Sequence, residues 1–380
     1  MSTLDESPAA TRGFSLPASG TGWSLYLRPL GFLNGAVADA AVLRGAARPL
    51  AGGPIAFTAC EAALRRGGGI ERAIYDLHGL EGWARRQGEA AAALVEARLA
   101  ALAAPRGAFA GLSLARPAIM GVVNVTPDSF SDGGDFADPG LAISQGIALL
   151  EAGADILDVG GESTRPGAPP VQIDEELRRV VPVVRALAER GAAVSVDTRH
   201  AAVMTAGLAA GARIVNDVTA LTGDAHSLDA VADSRAALVL MHMLGEPQTM
   251  QADPRYVDAA LDVYDYLEAR VAACTGRGIA RERIAVDPGI GFGKNDDHNV
   301  AILGSLGLYH GIGCPVLLGV SRKSFVGRLS AGEPPKQRLP GSLAAALGGL
   351  DQGVQILRVH DVAETVQARA IWQSVAAAGR

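Results

Sequence analysis

The chain has 380 residues, of which 49% are hydrophobic and 19% charged, and its net charge is −6. That length exceeds an average domain and allows a sizeable core, while the charge gives no reason to expect nucleic acid or an anionic membrane as partner. No apolar run reaches the roughly 18 residues of a membrane span, and Cys60, Cys274 and Cys314 lie far apart with no CxxC pair, which points to a reduced cytoplasmic protein.

Residues 1–20 are rich in Ser, Pro, Ala and Thr and read as a disordered N-terminus. They lack the basic start and apolar core of a signal peptide. Residues 21–104 form a separate small α/β segment without a chemical motif. Strands are expected at Trp23–Leu27 and Pro54–Thr58, and helices at Glu61–Arg66 and Glu81–Leu102. Pro105 and Gly107 mark 105–116 as a linker.

From residue 117 to 380 the rhythm becomes strand, loop, helix. Strands are predicted near 118–124, 155–160, 193–197, 213–216, 236–242, 284–287, 315–320 and 355–359. Helices follow near 139–152, 173–190, 200–210, 225–233, 256–277, 297–308, 341–351 and 362–377. Eight such units match the count and size of a (β/α)₈ TIM barrel. An open doubly wound sheet is the alternative, but it would not bring eight strand ends around one rim.

Those ends carry Asn124, Asp158, Asp197, Asn216, Met241-His242, Asp287, Ser321-Arg322-Lys323, Arg358 and His360. Any one of the Asn, Asp or Ser residues also reads as a helix cap; caps do not call for Lys, Arg and His. Asp197, Asn216, Asp287 and Lys323 offer carboxylates, an amide and an ammonium to a buried polar heterocycle, the bland alternative being an Asp–Lys ion pair. Arg165, Arg358, His360 and Asn124 suit a diphosphate with Mg²⁺. The loop GGESTRPG, residues 160–167, presents Thr164 and Arg165 between glycines, as a lid over a charged substrate would. Only three of the 34 basic residues are lysines, and Lys294 and Lys323 both fall in these loops.

The stretch PGIGFGKN, residues 288–295, invites a phosphate-loop reading and fails it. Pro288 stands where that loop needs Gly, and Asn295 where it needs Ser or Thr. His298 reads as structural, and His242 as either structural or functional. No zinc spacing, GxSxG elbow or HExxH occurs, so covalent catalysis has no candidate pair.

Taken in order, GVVNVTPDSFSDGG, DILDVGGESTRPGA, SVDT, VND, LMHMLGEPQTMQ, VDPGIGFGK, SRKSFVG, GSLAAAL and RVHDV resemble the signature blocks of the dihydropteroate synthases across 118–362. The resemblance implies a TIM barrel that condenses para-aminobenzoate with 6-hydroxymethyl-7,8-dihydropterin diphosphate, giving 7,8-dihydropteroate and pyrophosphate in folate synthesis. By position it implies pterin binding by Asp158, Asp197, Asn216, Met241, Asp287 and Lys323. Asn124, as ligand to Mg²⁺, would join Arg165, Arg358 and His360 at the diphosphate. Phe130, Thr164, Pro166, Phe292 and Ser321 would form the para-aminobenzoate slot, where sulfonamides compete. Asp158, Asp197, Lys323 and Arg358 are the implied catalytic set, and a homodimer is implied. A pterin-dependent methyltransferase and a catalytically silent pterin-binding paralogue are the alternatives. The N-terminal extension departs from the core family and reads as an accessory domain or a docking module for another folate enzyme.

Overall fold

The computed structural model describes residues 14–17, 22–126, 139–163, 167–246 and 249–378. The chain divides into two compact units, one up to Pro105 and the other from Arg106 to Ala378.

The first unit is an antiparallel sheet with three helices. Strand β1 (Trp23–Leu33) is followed by helix α1 (Gly35–Leu43), a short β2 (Arg48–Pro49), β3 (Ala56–Arg66) and β4 (Gly69–Asp76). β3 is central, pairing with β1 from Trp23↔Arg66 to Leu33↔Ala56 and with β4 from Arg66↔Gly69 to Ala59↔Asp76. The helix expected at Glu61–Arg66 is therefore the second half of β3, and β4 went unread. Glu, Ala and Leu favour helix locally, but two flanking strands outweigh that weak preference. The single helix expected over 81–102 is two, α2 (Leu77–Gln87) and α3 (Glu89–Ala103). Gly88 breaks them with φ +114, a conformation open to glycine alone at little cost.

The second unit closes a parallel sheet on itself. Its strands are β5 (Ala118–Asn124), β6 (Ile156–Gly160), β7 (Val194–Asp197), β8 (Ile214–Asp217), β9 (Ala237–Met241), β10 (Ile284–Asp287), β11 (Leu317–Leu318) and β12 (Ile356–Val359). They pair in the order β10-β9-β8-β7-β6-β5-β12-β11, and a parallel bridge from Val286 to Val316 joins the two ends. The strands are almost wholly buried, as strands covered by helices on one side and a filled barrel on the other must be. Around them run α4 (Pro139–Glu151), α5 (Ile173–Ala188), α6 (Ala201–Ala209), α7 (Ser227–Ala232), α8 (Ala259–Gly276), α9 (Asp296–Leu303), α10 (Ser324–Leu329), α11 (Leu339–Leu350) and α12 (Val362–Ala378). This is the (β/α)₈ barrel, with α10 a short helix that periodicity missed. Among the described residues no helix is long and apolar enough to cross a membrane.

Part of the stretch read as a linker has a packing role. Phe109 and Leu112 exchange backbone hydrogen bonds at 2.9 Å, and Phe109 is fully buried against Ala118, Ile156, Ile214, Ala237 and Ile356. Those residues begin their strands, so 106–114 plugs the N-terminal mouth of the barrel and leaves the opposite rim for chemistry.

Candidate active site

Residues paired across parallel strands point the same way, so the register stacks polar side chains inside the rim. Gly160 pairs with Asp197, which pairs with Asn216. A Cβ on Gly160 would lie 3.4 Å from Asp197 Cβ, so the glycine leaves that carboxylate its space. One strand before, Asp158 is fully buried. Asn216 Nδ2 donates to Asp158 Oδ2 at 3.0 Å, and Arg358 Nε donates to the same oxygen at 2.6 Å. Arg358 Nη2 donates to Asp197 Oδ2 at 2.6 Å. One guanidinium thus bridges two carboxylates, and its side chain stays one quarter exposed with donors to spare.

The electrostatics follow from that grouping. Burial, then the Asp158 charge, pushes the Asp197 carboxyl up to about 8 against the pull of Arg358. Burial opposes the charge on Arg358, but Asp158 and Asp197 more than compensate and raise its pKa. Across the rim burial also raises Asp287, although Lys323 favours its ionised form, and burial lowers Lys323 to about 8 against the pull of Asp287. Asp287 Oδ1 accepts from Gly289 N at 2.7 Å. Lys323 donates to the Ile290 carbonyl and lies 4.6 Å from the centroid of the Phe292 ring. A Cβ on Gly319 would sit 3.9 Å from Asp287 Oδ2 and 4.0 Å from Lys323 Nζ. Acid and ammonium share one recess without forming an ion pair.

The loop after β10 is shaped by its glycines. Gly289 has φ +67 and no room for a side chain, since a Cβ would meet the His242 carbonyl oxygen at 1.9 Å. Lys294, 1% exposed, fixes the far end of the loop: its Nζ lies 2.9 Å from His242 Nδ1 and donates to Phe292 O at 3.0 Å. Burial and the Lys294 charge push His242 down to about 2, a neutral structural imidazole. His298 is structural too, accepting from Asn295 N at 3.3 Å in a capping box.

The remaining candidates divide. Met241 is buried at the end of β9, and Asn124 is half-buried at the end of β5. Ser321 is 8% exposed; its hydroxyl accepts from His360 N at 3.1 Å and lies 3.1 Å from His360 Nδ1. If the hydroxyl proton goes to Nδ1, the ring proton sits on Nε2. Ser321 therefore orients His360, and the exposed serine at this strand end is Ser324, first residue of α10. Phe130, Thr164, Arg165 and Pro166 lie outside the described residues.

Sequence reading missed the supports. Glu162 accepts from Arg199 Nε and Nη2 at 2.8 and 2.9 Å and from Val171 N at 3.2 Å. Glu176, fully buried, holds His200 Nδ1 at 2.8 Å. Arg322 pairs with Asp361. Each pair joins different βα connections, so no local spacing announces it; the signal lay only in Glu, Arg and His beside residues already singled out.

Residues 120–360 match the pterin binding enzyme family, so the class is a pterin-binding barrel. Dihydropteroate synthase of Escherichia coli K12 is 45% identical over 268 residues, covering 70% of this chain and 94% of that protein. Dihydropteroate synthase of Xanthomonas albilineans, solved with 4-aminobenzoic acid, is 49% identical with a TM-score of 0.66, over 70% of this chain and 96% of that one. That of Burkholderia cenocepacia, complexed with 7,8-dihydropteroate, is 45% identical with a TM-score of 0.64, over 71% and 95%. The chain belongs to the dihydropteroate synthases, transferases of folate biosynthesis.

Proposed function

We propose that this rim condenses para-aminobenzoate with 6-hydroxymethyl-7,8-dihydropterin diphosphate through the following division of labour. The observation that carries it is the Asp158–Arg358–Asp197 bridge with Asn216 on one side and Asp287–Lys323 on the other, a ring of donors and acceptors in a buried recess. Asp197, Asn216, Asp287 and Lys323 hold the pterin edge, Met241 lines its face, and Asp158 fixes the orientation of Asn216 and Arg358. The outer donors of Arg358 meet the diphosphate with His360, Asn124 and Arg165.

Diphosphate leaves when its C–O bond to the pterin methylene breaks, and the ring system takes up positive charge. Asp197 and Asp287 stabilise that cation as it forms. Since a nearby cation favours an ionised carboxylate, Asp197 becomes the better counter-ion as charge develops. The neutral arylamine then attacks the methylene carbon and loses a proton, a step that needs no strong base. Phe292 offers an apolar face to the aryl ring. The serine contact moves from Ser321, engaged with His360, to exposed Ser324; Phe130, Thr164 and Pro166 complete the slot.

Among the described residues no three His, Cys, Asp or Glu side chains form a metal cluster, and the donor beside the diphosphate position is the Asn124 amide. One neutral oxygen suits Mg²⁺, which keeps several waters and shares substrate phosphates; bound there, it would neutralise charge on the departing diphosphate. A homodimer and a cytoplasmic location complete the reading, the latter supported by three free, buried cysteines. We assign the N-terminal unit an accessory role.

Purified protein given both substrates should release pyrophosphate and form 7,8-dihydropteroate only with Mg²⁺, with a sulfonamide competing against para-aminobenzoate. No release at micromolar enzyme would end this reading.

A further inference from the structure

Arg322 stands between two site residues and has a backbone that few L-residues adopt. Its φ is +58, in the left-handed region, where a side chain crowds the following carbonyl. The strain is held from three directions. Ser342 Oγ, in the first turn of α11, accepts from Arg322 N at 2.9 Å. Arg338, at the start of the same helix, donates from Nη1 to Arg322 O at 3.1 Å and is itself fixed by Nε to Glu333 O at 2.7 Å. Asp361, just before α12, takes the guanidinium, with Arg322 Nε 2.9 Å from its Oδ2 and Nη2 on the other oxygen. Backbone donor, backbone acceptor and side chain are each tied to the start of a neighbouring helix. A left-handed residue held so thoroughly beside a site marks a functional constraint.

The consequence lies on either side. Residues 320–323 form a tight turn, with Lys323 N donating to Val320 O at 3.4 Å. Reversal at Arg322 lets Ser321 turn to His360 while Lys323, one peptide later, reaches Ile290 O and the Phe292 ring. An extended residue at 322 would send Lys323 elsewhere, since alternate residues of extended chain face opposite sides.

We propose that Asp361, with Ser342 and Arg338, is a positioning residue: it holds Arg322 left-handed and thereby aims Lys323 into the pterin recess. This rests on the assignment of Lys323 to the pterin, made above. The test measures binding of 6-hydroxymethylpterin, which lacks the diphosphate, to the full chain. Asp361→Ala should weaken it about tenfold, the size of the left-handed penalty no longer opposed. Adding Arg322→Gly to Asp361→Ala should restore most of the affinity, because glycine takes φ +58 without being held. Arg322→Ala added to Asp361→Ala removes the same unpaired guanidinium but keeps a Cβ at φ +58, so it should not restore the affinity; recovery with alanine as full as with glycine would mark a merely structural contact. Should Asp361→Ala fail to fold, Ser342→Ala must show the same loss and the same rescue. Wild-type affinity in the single variant, or no recovery in the glycine double variant, overturns the proposal. Wild-type protein that binds no pterin and releases no pyrophosphate overturns instead the assignment beneath it.

Discussion

Arg358 joins what the sequence separated into two jobs. Reading strand ends alone assigns it to the diphosphate, whereas the structure ties it to Asp158 and Asp197, so one residue sets the charge on both sides of the pocket. Arg358→Ala should therefore weaken diphosphate-free pterin as well, unlike an arginine that met phosphate alone. Removing one partner from a buried charge cluster costs about 3 kcal/mol, measurable as a lower urea midpoint. The two carboxylates left facing each other push Asp197 further above its value of about 8, so the deficit should be largest at alkaline pH and shrink as pH falls toward 8 and that group protonates; a deficit constant across that range would refute the coupling. Lys323→Ala should weaken pterin binding as well, and because Lys323 favours the ionised form of Asp287, the loss should vary with pH; titration of the variant with the same diphosphate-free analogue checks it. Two histidines give a prediction of their own. His242 is pushed down to about 2 and His310 to about 3, each first by burial and then by a neighbouring cation. Both stay neutral in the native protein, whereas in the unfolded chain they titrate near 6.5. Their contribution is complete above pH 6.5 and is lost as pH falls toward the native values. Denaturation midpoints should drop between pH 7 and pH 5, and His242→Gln should flatten that slope. An unaltered slope would place the titration elsewhere.

At the scale of elements, the same residue type plays opposite parts. Gly289 and Gly348 are both in the barrel unit, yet Gly289 has φ +67 and faces a carbonyl oxygen, while Gly348 lies within α11 with nothing within 4 Å of its missing Cβ. Gly289→Ala should destabilise by more than about 1 kcal/mol and impair pterin binding, since the loop after β10 cannot pass His242. Gly348→Ala should stabilise by about 0.5–1 kcal/mol, because alanine loses less backbone freedom in a helix. Thermal or chemical denaturation of the two variants checks both signs. Strand β3 teaches the companion lesson: its helix-favouring residues form a strand because β1 and β4 both pair with it.

At the scale of the molecule, the matched region covers 94% of the Escherichia coli relative but 70% of this chain, so the barrel carries the chemistry and the first unit is additional. The boundary matters for any truncation. A chain beginning at Arg106 keeps Phe109 in the barrel mouth and should retain condensation activity. One beginning at Pro117 opens that mouth and should lose about 3–5 kcal/mol, the usual effect of deleting a buried aromatic. Equal stability and activity of the two would show that the plug is dispensable. Much of the barrel was legible beforehand, because each βα unit repeats local signals: an apolar run, a polar end, an amphipathic or glycine-marked continuation. The polar residues at the strand ends were legible for the same reason, since a barrel places every strand end on one rim. What only the tertiary structure decided was how those residues pair. Asp158 with Arg358, Glu162 with Arg199, Asp361 with Arg322 and Lys294 with His242 are neighbours through space and not through sequence. Side-chain pairing of that kind depends on strand register and barrel closure, which local propensity does not encode; the chain by itself specified which groups reach the rim, and folding decided which of them hold one another.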